Sequence, residues 1–160
     1  MTLQGEHISL VPYTLEKCHE IYKRYVSDSM MTDQSYLYDK NTVDLYYRDK
    51  TTDSTRVFFA ISHEGNTIGE IQLKRIDTLN KCGTLSIILT DDSVKNRGFG
   101  TEAEKLLIEY AFSRLGLETI YADAVLRNVR SRHVLEKIGF EHIYDDEILA
   151  YYKLEKSRHL

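Results

Sequence analysis

With 160 residues and 18.7 kDa, the chain has room for one domain with a proper core, expected over residues 1–160. Its 42% hydrophobic and 29% charged residues are those of a soluble globular protein, and a net charge of −4 argues against nucleic acid as a general partner while leaving room for a local basic pocket. Cys18 and Cys82 form no CxxC or Cys/His cluster, the six histidines lack ligand spacing, and no apolar run approaches a membrane span; no disulfide framework, no metal, no membrane partner and a cytoplasmic location are expected.

Ile8-Ser9-Leu10-Val11-Pro12 alternates and stops at the single proline, as an opening strand would. Thr14 then caps a helix whose apolar positions Leu15, Cys18, Tyr22, Tyr25 and Val26 follow helical spacing. Residues 27–41 read as a loop and 42–48 as a short helix, together the expected flank of a binding cleft. From Thr55 the pattern turns to strands. Residues 56–61 run through the turn signal Glu64-Gly65-Asn66 into 67–73, and a second turn at Asn80-Lys81-Cys82-Gly83 leads into 84–89.

Three consecutive antiparallel strands thus feed the stretch Val94-Lys95-Asn96-Arg97-Gly98-Phe99-Gly100-Thr101-Glu102-Ala103. Behind it, Ala103, Leu106, Leu107, Tyr110 and Ala111 recur as a buried helical stripe, Glu102 and Glu104 suit the helix dipole, and Leu115-Gly116 ends the helix. Residues 119–126 form the next strand, with Ile120, Ala122, Ala124 and Leu126 on one face; the intervening helix makes it parallel to the strand before the loop. Asn128 caps a last helix with Ser131, Val134, Leu135 and Ile138 inward and Gly139 at its end. The tail reads as a hairpin around Asp145-Asp146, followed by frayed polar residues. The fold class is α/β (α+β), with a mixed, mostly antiparallel sheet and a central parallel pair.

Strand, glycine turn and helix in that order present free backbone N–H groups at the positive end of a helix, which suits phosphate. Lys95 and Arg97 beside the glycines add charge suited to a pyrophosphate, although each alone fits equally well as a solubilising loop residue. GxxxxGK[ST] is absent, and a dinucleotide fingerprint would need a third glycine after a parallel strand.

The run Lys95-x-x-Gly98-x-Gly100 resembles the acyl-CoA pyrophosphate loop of the GNAT N-acetyltransferases, whose pattern is [R/Q]-x-x-G-x-[G/A]. Gly98-Phe99-Gly100-Thr101-Glu102-Ala103 is similar to the form common in the RimJ/RimL-type branch, and Asn128-x-x-Ser131 with Leu135-Glu136-Lys137-Ile138-Gly139-Phe140 resembles that branch's second signature. The resemblance implies a GNAT-like twisted sheet whose central parallel strands splay around acetyl-CoA, and transfer of its acetyl group to a primary amine. By position it implies that Ile88, Leu89 and Thr90 offer backbone groups to the pantetheine arm and thioester. Lys95, Asn96, Arg97, Gly98, Phe99, Gly100 and Thr101 would wrap the pyrophosphate, Asn128 would touch the cofactor arm, and Ser131 would lie near the sulfur as proton donor.

Lys95 keeps the charge of the usual Arg or Gln but loses planar bidentate bonding. Leu135 stands where many family members carry a tyrosine acid, as it commonly does in this branch, so Ser131 or a water must serve; Ser131 equally fits a helix-start serine bonded to backbone. Glu70 is the candidate base, on a face it shares with Ile68 and Gln72 and from which it could equally reach solvent; Asp123 is the alternative. Tyr36, Tyr38 and His63 are candidates to shape the acceptor cleft. Asp28, Asp33, Asp39, Asp44, Asp49 and Asp53 would suit a cationic acceptor or serve as solvated loop charges. The acceptor is an amine on a small molecule or a protein N-terminus, the protein a monomer or homodimer, and the rival reading a non-catalytic acyl-CoA sensor.

Overall fold

The computed structural model describes residues 1–159. Its elements are β1 (Leu3–Gln4), β2 (Ser9–Pro12), α1 (Leu15–Arg24), α2 (Lys40–Thr51), β3 (Val57–His63), β4 (Asn66–Asp77), β5 (Cys82–Leu89), α3 (Phe99–Ser113), β6 (Thr119–Val125), α4 (Val129–Ile138), β7 (Glu141–Asp145) and β8 (Leu149–Glu155), with 3-10 turns at Asp92–Val94 and Lys156–Arg158. The strands form one sheet in the order β1-β2-β3-β4-β5-β6-β8-β7. Among the described residues only β5 and β6 run parallel; every other neighbouring pair is antiparallel. Among the described residues no helix is long and apolar enough to cross a membrane.

The local signals behave as their chemistry requires. Thr14 caps α1 by accepting the Lys17 N–H, Asn128 caps α4 by accepting the Ser131 N–H, and Gly139 ends α4 at φ 119°. The expected helix at 42–48 is longer because Asp39 caps it, its Oδ2 accepting the Thr42 N–H at 2.8 Å. β4 runs on past residue 73, and β5 begins at Cys82, which is therefore a strand residue and not part of the turn. A two-residue edge strand, β1, is too short to carry a pattern and was not legible in the sequence. The polar tail after β8 forms a 3-10 turn through Arg158, and residue 160 lies outside the described residues.

The sheet is covered on both faces. Ile71, Leu73, Leu85 and Ile120 pack under α3 and α4 with Ala103, Leu107, Ala111 and Leu135. On the other face α1 and α2 enclose Cys18, Ile21, Tyr22 and Val43, ringed by Tyr13, Tyr25, Tyr36, Tyr38, Tyr46 and Tyr47. On α3 the buried arc is wider than the expected stripe, taking in Phe99, Glu104 and Ile108, while Leu106 and Tyr110 are only partly buried. A helix wedged between a sheet and a second helix buries more than one narrow face. Glu104 is thus a core-facing residue and not the surface dipole partner expected. Glu102 turns away from the helix axis and accepts the backbone N–H groups of His7 and Ile8, tying the N-terminal turn to α3.

Gly69 of β4 lies opposite Leu89 of β5. A Cβ there would overlap the Ile88 carbonyl oxygen, a backbone atom that cannot swing aside. Gly69→Ala is expected to destabilise the protein by about 1–3 kcal/mol, measured as a lower urea midpoint at unchanged m-value; an unchanged midpoint would show that the strands relax freely here.

Candidate active site

The parallel ladder is short. β5 and β6 pair only through Cys82↔Thr119, Gly83↔Ile120 and Thr84↔Tyr121. Beyond Thr84 the strands part, although β5 stays paired to β4 as far as Leu89 and β6 stays paired to β8 as far as Val125. A cleft of about 280 Å³ occupies the opening, walled by Ile87, Ile88 and Leu89 of β5, by Gly98, Gly100 and Thr101 at the start of α3, and by Asn128, Ser131 and Val134 of α4.

Backbone alternation decides which groups of β5 face this gap. Thr90 donates its N–H to the Ile68 carbonyl at 3.0 Å and accepts the Val26 N–H at 2.8 Å, so both of its backbone groups are committed. The Ile88 carbonyl likewise faces β4, against Gly69. Successive residues of a strand turn their N–H and C=O groups to opposite edges, which leaves Leu89 and Ile87 facing the gap. The expectation for Ile88, Leu89 and Thr90 narrows to the Leu89 backbone, with Ile88 lining the wall. The Thr90 hydroxyl is fully buried and has no hydrogen-bond partner among the described residues.

The glycine loop delivers a bare helix terminus. Gly98 is the N-cap of α3 at φ 84°, and no side chain caps it. The first N–H groups of the helix, which lack partners within it by geometry, are open to the cleft. Asn96 also takes a left-handed conformation (φ 59°) to turn the chain. A Cβ on Gly98 would meet no protein atom within 4 Å; it would project into open space. Phe99 does not line the cleft: its ring is 5% exposed and packs 4.3 Å from the His63 ring, with the Arg97 guanidinium 4.7 Å from its centroid.

Lys95 is placed differently from its sequence reading. Its ammonium pairs with Asp28 at 3.1 Å and Asp92 at 3.5 Å, and its side chain is 10% exposed. It is already largely neutralised. Burial pushes the Asp28 carboxyl upward, but the Met30 N–H and the Lys95 ammonium outweigh this and hold it below the usual carboxylate range. On the far side of the cleft Arg127 donates to the Met30 carbonyl and pairs with Asp33. Residues 26–33 are therefore strapped across the mouth of the splay, anchored to the loop before α3 and to the end of β6. The sequence marks these residues only as polar loop.

Glu70 does not point into solvent and does not line the cleft. It is 1% exposed, accepting the Tyr13 hydroxyl at 2.7 Å and the Tyr46 hydroxyl at 2.6 Å on the α1–α2 face. Burial raises its pKa, and the tyrosine bonds offset part of the rise. Cys18 sits in the same cluster, where burial pushes its thiol up to about 11, so it is no nucleophile. Asp123 lies on β6 opposite Tyr151, half-buried, on the sheet face that carries Glu70. Tyr36 joins the aromatic cluster against Tyr22 and Tyr25, Tyr38 bonds His19 at 2.7 Å, and His63 lies away from the cleft, bonded to the His7 carbonyl. Of the six aspartates, Asp28, Asp33, Asp44 and Asp53 are ion-paired and Asp39 is a helix cap.

At α4, Asn128 combines its cap with a place on the cleft wall. The Ser131 hydroxyl has no hydrogen-bond partner among the described residues and faces the cleft, unlike a serine bonded to backbone. Leu135 is 2% exposed and belongs to the core. Several residues lining the cleft were not assigned to it from the sequence, among them Met31, Glu104, Arg130 and Lys137. Glu104 had a usable signal, since it lies four residues after Gly100 on one helical face.

The profile of the family described as "Acetyltransferase (GNAT) domain" matches residues 7–141. The chain is similar to the spermidine N(1)-acetyltransferase of Escherichia coli K12, 27% identical over 106 residues, covering 66% of this chain and 52% of that protein. It is similar to a Bacillus subtilis protein named for ribosomal N-acetylation, 29% identical over 94 residues, covering 59% of this chain and 51% of that protein. The matches thus span about half the length of these two relatives. Among solved structures, a chimera built on Vibrio cholerae spermidine N-acetyltransferase superposes with a TM-score of 0.82 at 18% identity, over 95% of this chain and 97% of that one, which establishes the fold. The splayed parallel pair, the uncapped glycine terminus of α3 and this match over most of the sequence agree: the chain belongs to the GNAT family of acetyltransferases, in its RimJ/RimL-type branch.

Proposed function

We propose that the protein transfers the acetyl group of acetyl-CoA directly to a primary amine. Enzymes of this family use acetyl-CoA, and the cleft suits it on three counts. The α3 terminus has no side-chain cap, so its N–H groups are available to a pyrophosphate. β5 leaves the Leu89 backbone unpaired at the gap, a partner for an extended amide-bearing arm. The open space at Gly98, where a side chain would project, suits close approach of a ligand to backbone. The first of these carries the proposal. When bound, acetyl-CoA supplies an acyl group activated as a thioester.

The protein's share of the chemistry is positioning, charge stabilisation and proton handling. The Leu89 N–H is the strand donor suited to negative charge developing on a carbonyl oxygen. The Ser131 hydroxyl, free and facing the cleft, is the group suited to protonating a departing thiolate. The attacking amine must shed a proton. Glu70 is the deeply buried acid of the opposite face and accepts the hydroxyls of Tyr13 and Tyr46; we assign it the role of proton acceptor through those tyrosines. With five of the six aspartates engaged in pairs or a cap, the cleft flank offers little free negative charge, which weakens the reading of those residues as a polyamine trap. The names of the two relatives, for spermidine and for ribosomal N-acetylation, set the classes to test.

Incubation with acetyl-CoA and a panel of polyamines, amino acids and N-terminal peptides, followed by mass spectrometry, should show acetylation of a primary amine with stoichiometric release of CoA. Tight CoA binding with no turnover on any amine would favour a non-catalytic sensor instead.

Gly98→Val is expected to weaken acetyl-CoA binding at least tenfold, both by filling the approach to backbone and by straining φ at about 1–2 kcal/mol. Equilibrium titration checks this, and retained affinity would overturn the cradle.

Glu70→Gln should lower kcat by roughly 10²-fold or more with little change in KM, and should flatten the acid limb of the pH–rate profile. Tyr46→Phe removes a donor that stabilises the carboxylate, so Glu70 ionises at higher pH and that limb should move upward. Profiles of both variants that superpose on the parent would remove Glu70 from the proton path.

A further inference from the structure

Glu104 has no evident function within the protein. It lies on the second turn of α3, is 4% exposed, and lines the cleft beside Gly100 and Thr101, facing the wall formed by α4. Among the described residues its carboxyl makes no salt bridge and no side-chain hydrogen bond, and its oxygens are not sealed in the core but reach the cleft. The other buried acid among the described residues, Glu70, is satisfied by two tyrosines, and the partly exposed Glu102 by the His7 and Ile8 N–H groups. An unpaired carboxyl in such a place is costly, where an aliphatic side chain would cost nothing. A partner from outside the chain accounts for it.

The surroundings say what kind of partner. The other ionisable groups lining the cleft are Lys137 and Arg130 from α4, Lys95 from the loop before α3, Tyr25 at the end of α1 and Asp28 from the strap; β5 contributes only apolar side chains. With the bare N-terminus of α3 added, the cleft is arranged against a cationic ligand and for one bearing oxygen acceptors. An ionised carboxylate there would repel such a ligand, whereas a neutral acid has one proton to donate. Burial favours the neutral form and pushes the carboxyl up to about 8.

Resting on the acetyl-CoA reading of the cleft, we infer that Glu104 is a specificity-determining residue that binds the cofactor in its neutral form, donating a hydrogen bond to an oxygen of the cofactor. Ionisation of Glu104 then opposes binding, so affinity for acetyl-CoA falls with rising pH above the physiological range.

The test is equilibrium titration of the full chain with acetyl-CoA between pH 6.5 and 9.5, with Glu104→Gln and Glu104→Leu alongside. The parent should hold its affinity to about pH 8 and then lose roughly tenfold per pH unit. Glu104→Gln keeps a donor and cannot ionise, so it should bind like the parent at pH 7 and stay within about twofold to pH 9.5. Glu104→Leu should bind several-fold more weakly at pH 7, without that pH dependence. The remaining groups of the cleft and the ligand are the same in all three proteins, so the difference between parent and Gln isolates Glu104.

A second readout needs no ligand. Because the folded carboxyl titrates above its unfolded value, its contribution to stability is greatest at low pH and is lost as pH rises toward 8. Both variants should therefore melt higher than the ligand-free parent at pH 8, by a margin that shrinks toward pH 5. Superposed binding profiles of parent and Gln, or no pH-dependent melting difference, would overturn the inference while leaving the acetyl-CoA site standing. No binding by any of the three at pH 6.5, with Gly98→Val equally inert, would overturn the acetyl-CoA reading and this inference with it.

Discussion

The failure of β5 and β6 to pair beyond Thr84 is the constraint on which the rest of the molecule depends. Parallel strands joined through a helix normally extend their ladder until one of them ends. Here each is held instead by its outer neighbour, β5 by β4 and β6 by β8, so the centre of the sheet can open without either strand coming loose. The cost is a set of unpaired backbone groups in the gap, which need partners from elsewhere. A ligand with amides along an extended arm is suited to provide them, and the glycine terminus of α3 stands at one end of the same opening.

The splay also needs closing on its flank, and two ion pairs do this. Lys95–Asp28 joins the strap to the loop before α3, and Arg127–Asp33 joins it to the end of β6. The two are unequal. The first is largely buried and backed by the Met30 N–H, while the second is exposed and worth little by itself. Binding at the α3 terminus therefore acts next to the firmer of the two anchors. The strap and the loop that precedes the α3 terminus share that charge pair.

Buried carboxyls mark both faces of the sheet, with opposite arrangements. Glu70 sits under α1 and α2 with two phenolic donors, a satisfied acid in an aromatic cluster. Glu104 sits under α4 with none. Both are raised by burial, but one is answered within the chain and the other faces open space.

The order of the longer elements, the caps at Thr14 and Asn128, the parallel crossover and the glycine turn that starts α3 were legible in the chain, because each rests on spacing between residues a few positions apart. Local spacing determines a cap or a turn, and the interval between two such signals identified the family. What side chains do across the sheet was not legible. Period-2 alternation placed Glu70 on a face with Ile68 and Gln72, yet could not say that α1 and α2 would cover that face with tyrosines. Lys95 read as a free cation until Asp28, 67 residues away in sequence, was found against it. Glu104 read as a dipole partner because the second wall of its environment, α4, begins 25 residues later. Short-range chemistry was written in the sequence; the charge state and availability of each group at the cleft were decided only when distant segments packed together, since burial and pairing are properties of neighbours and not of residue types.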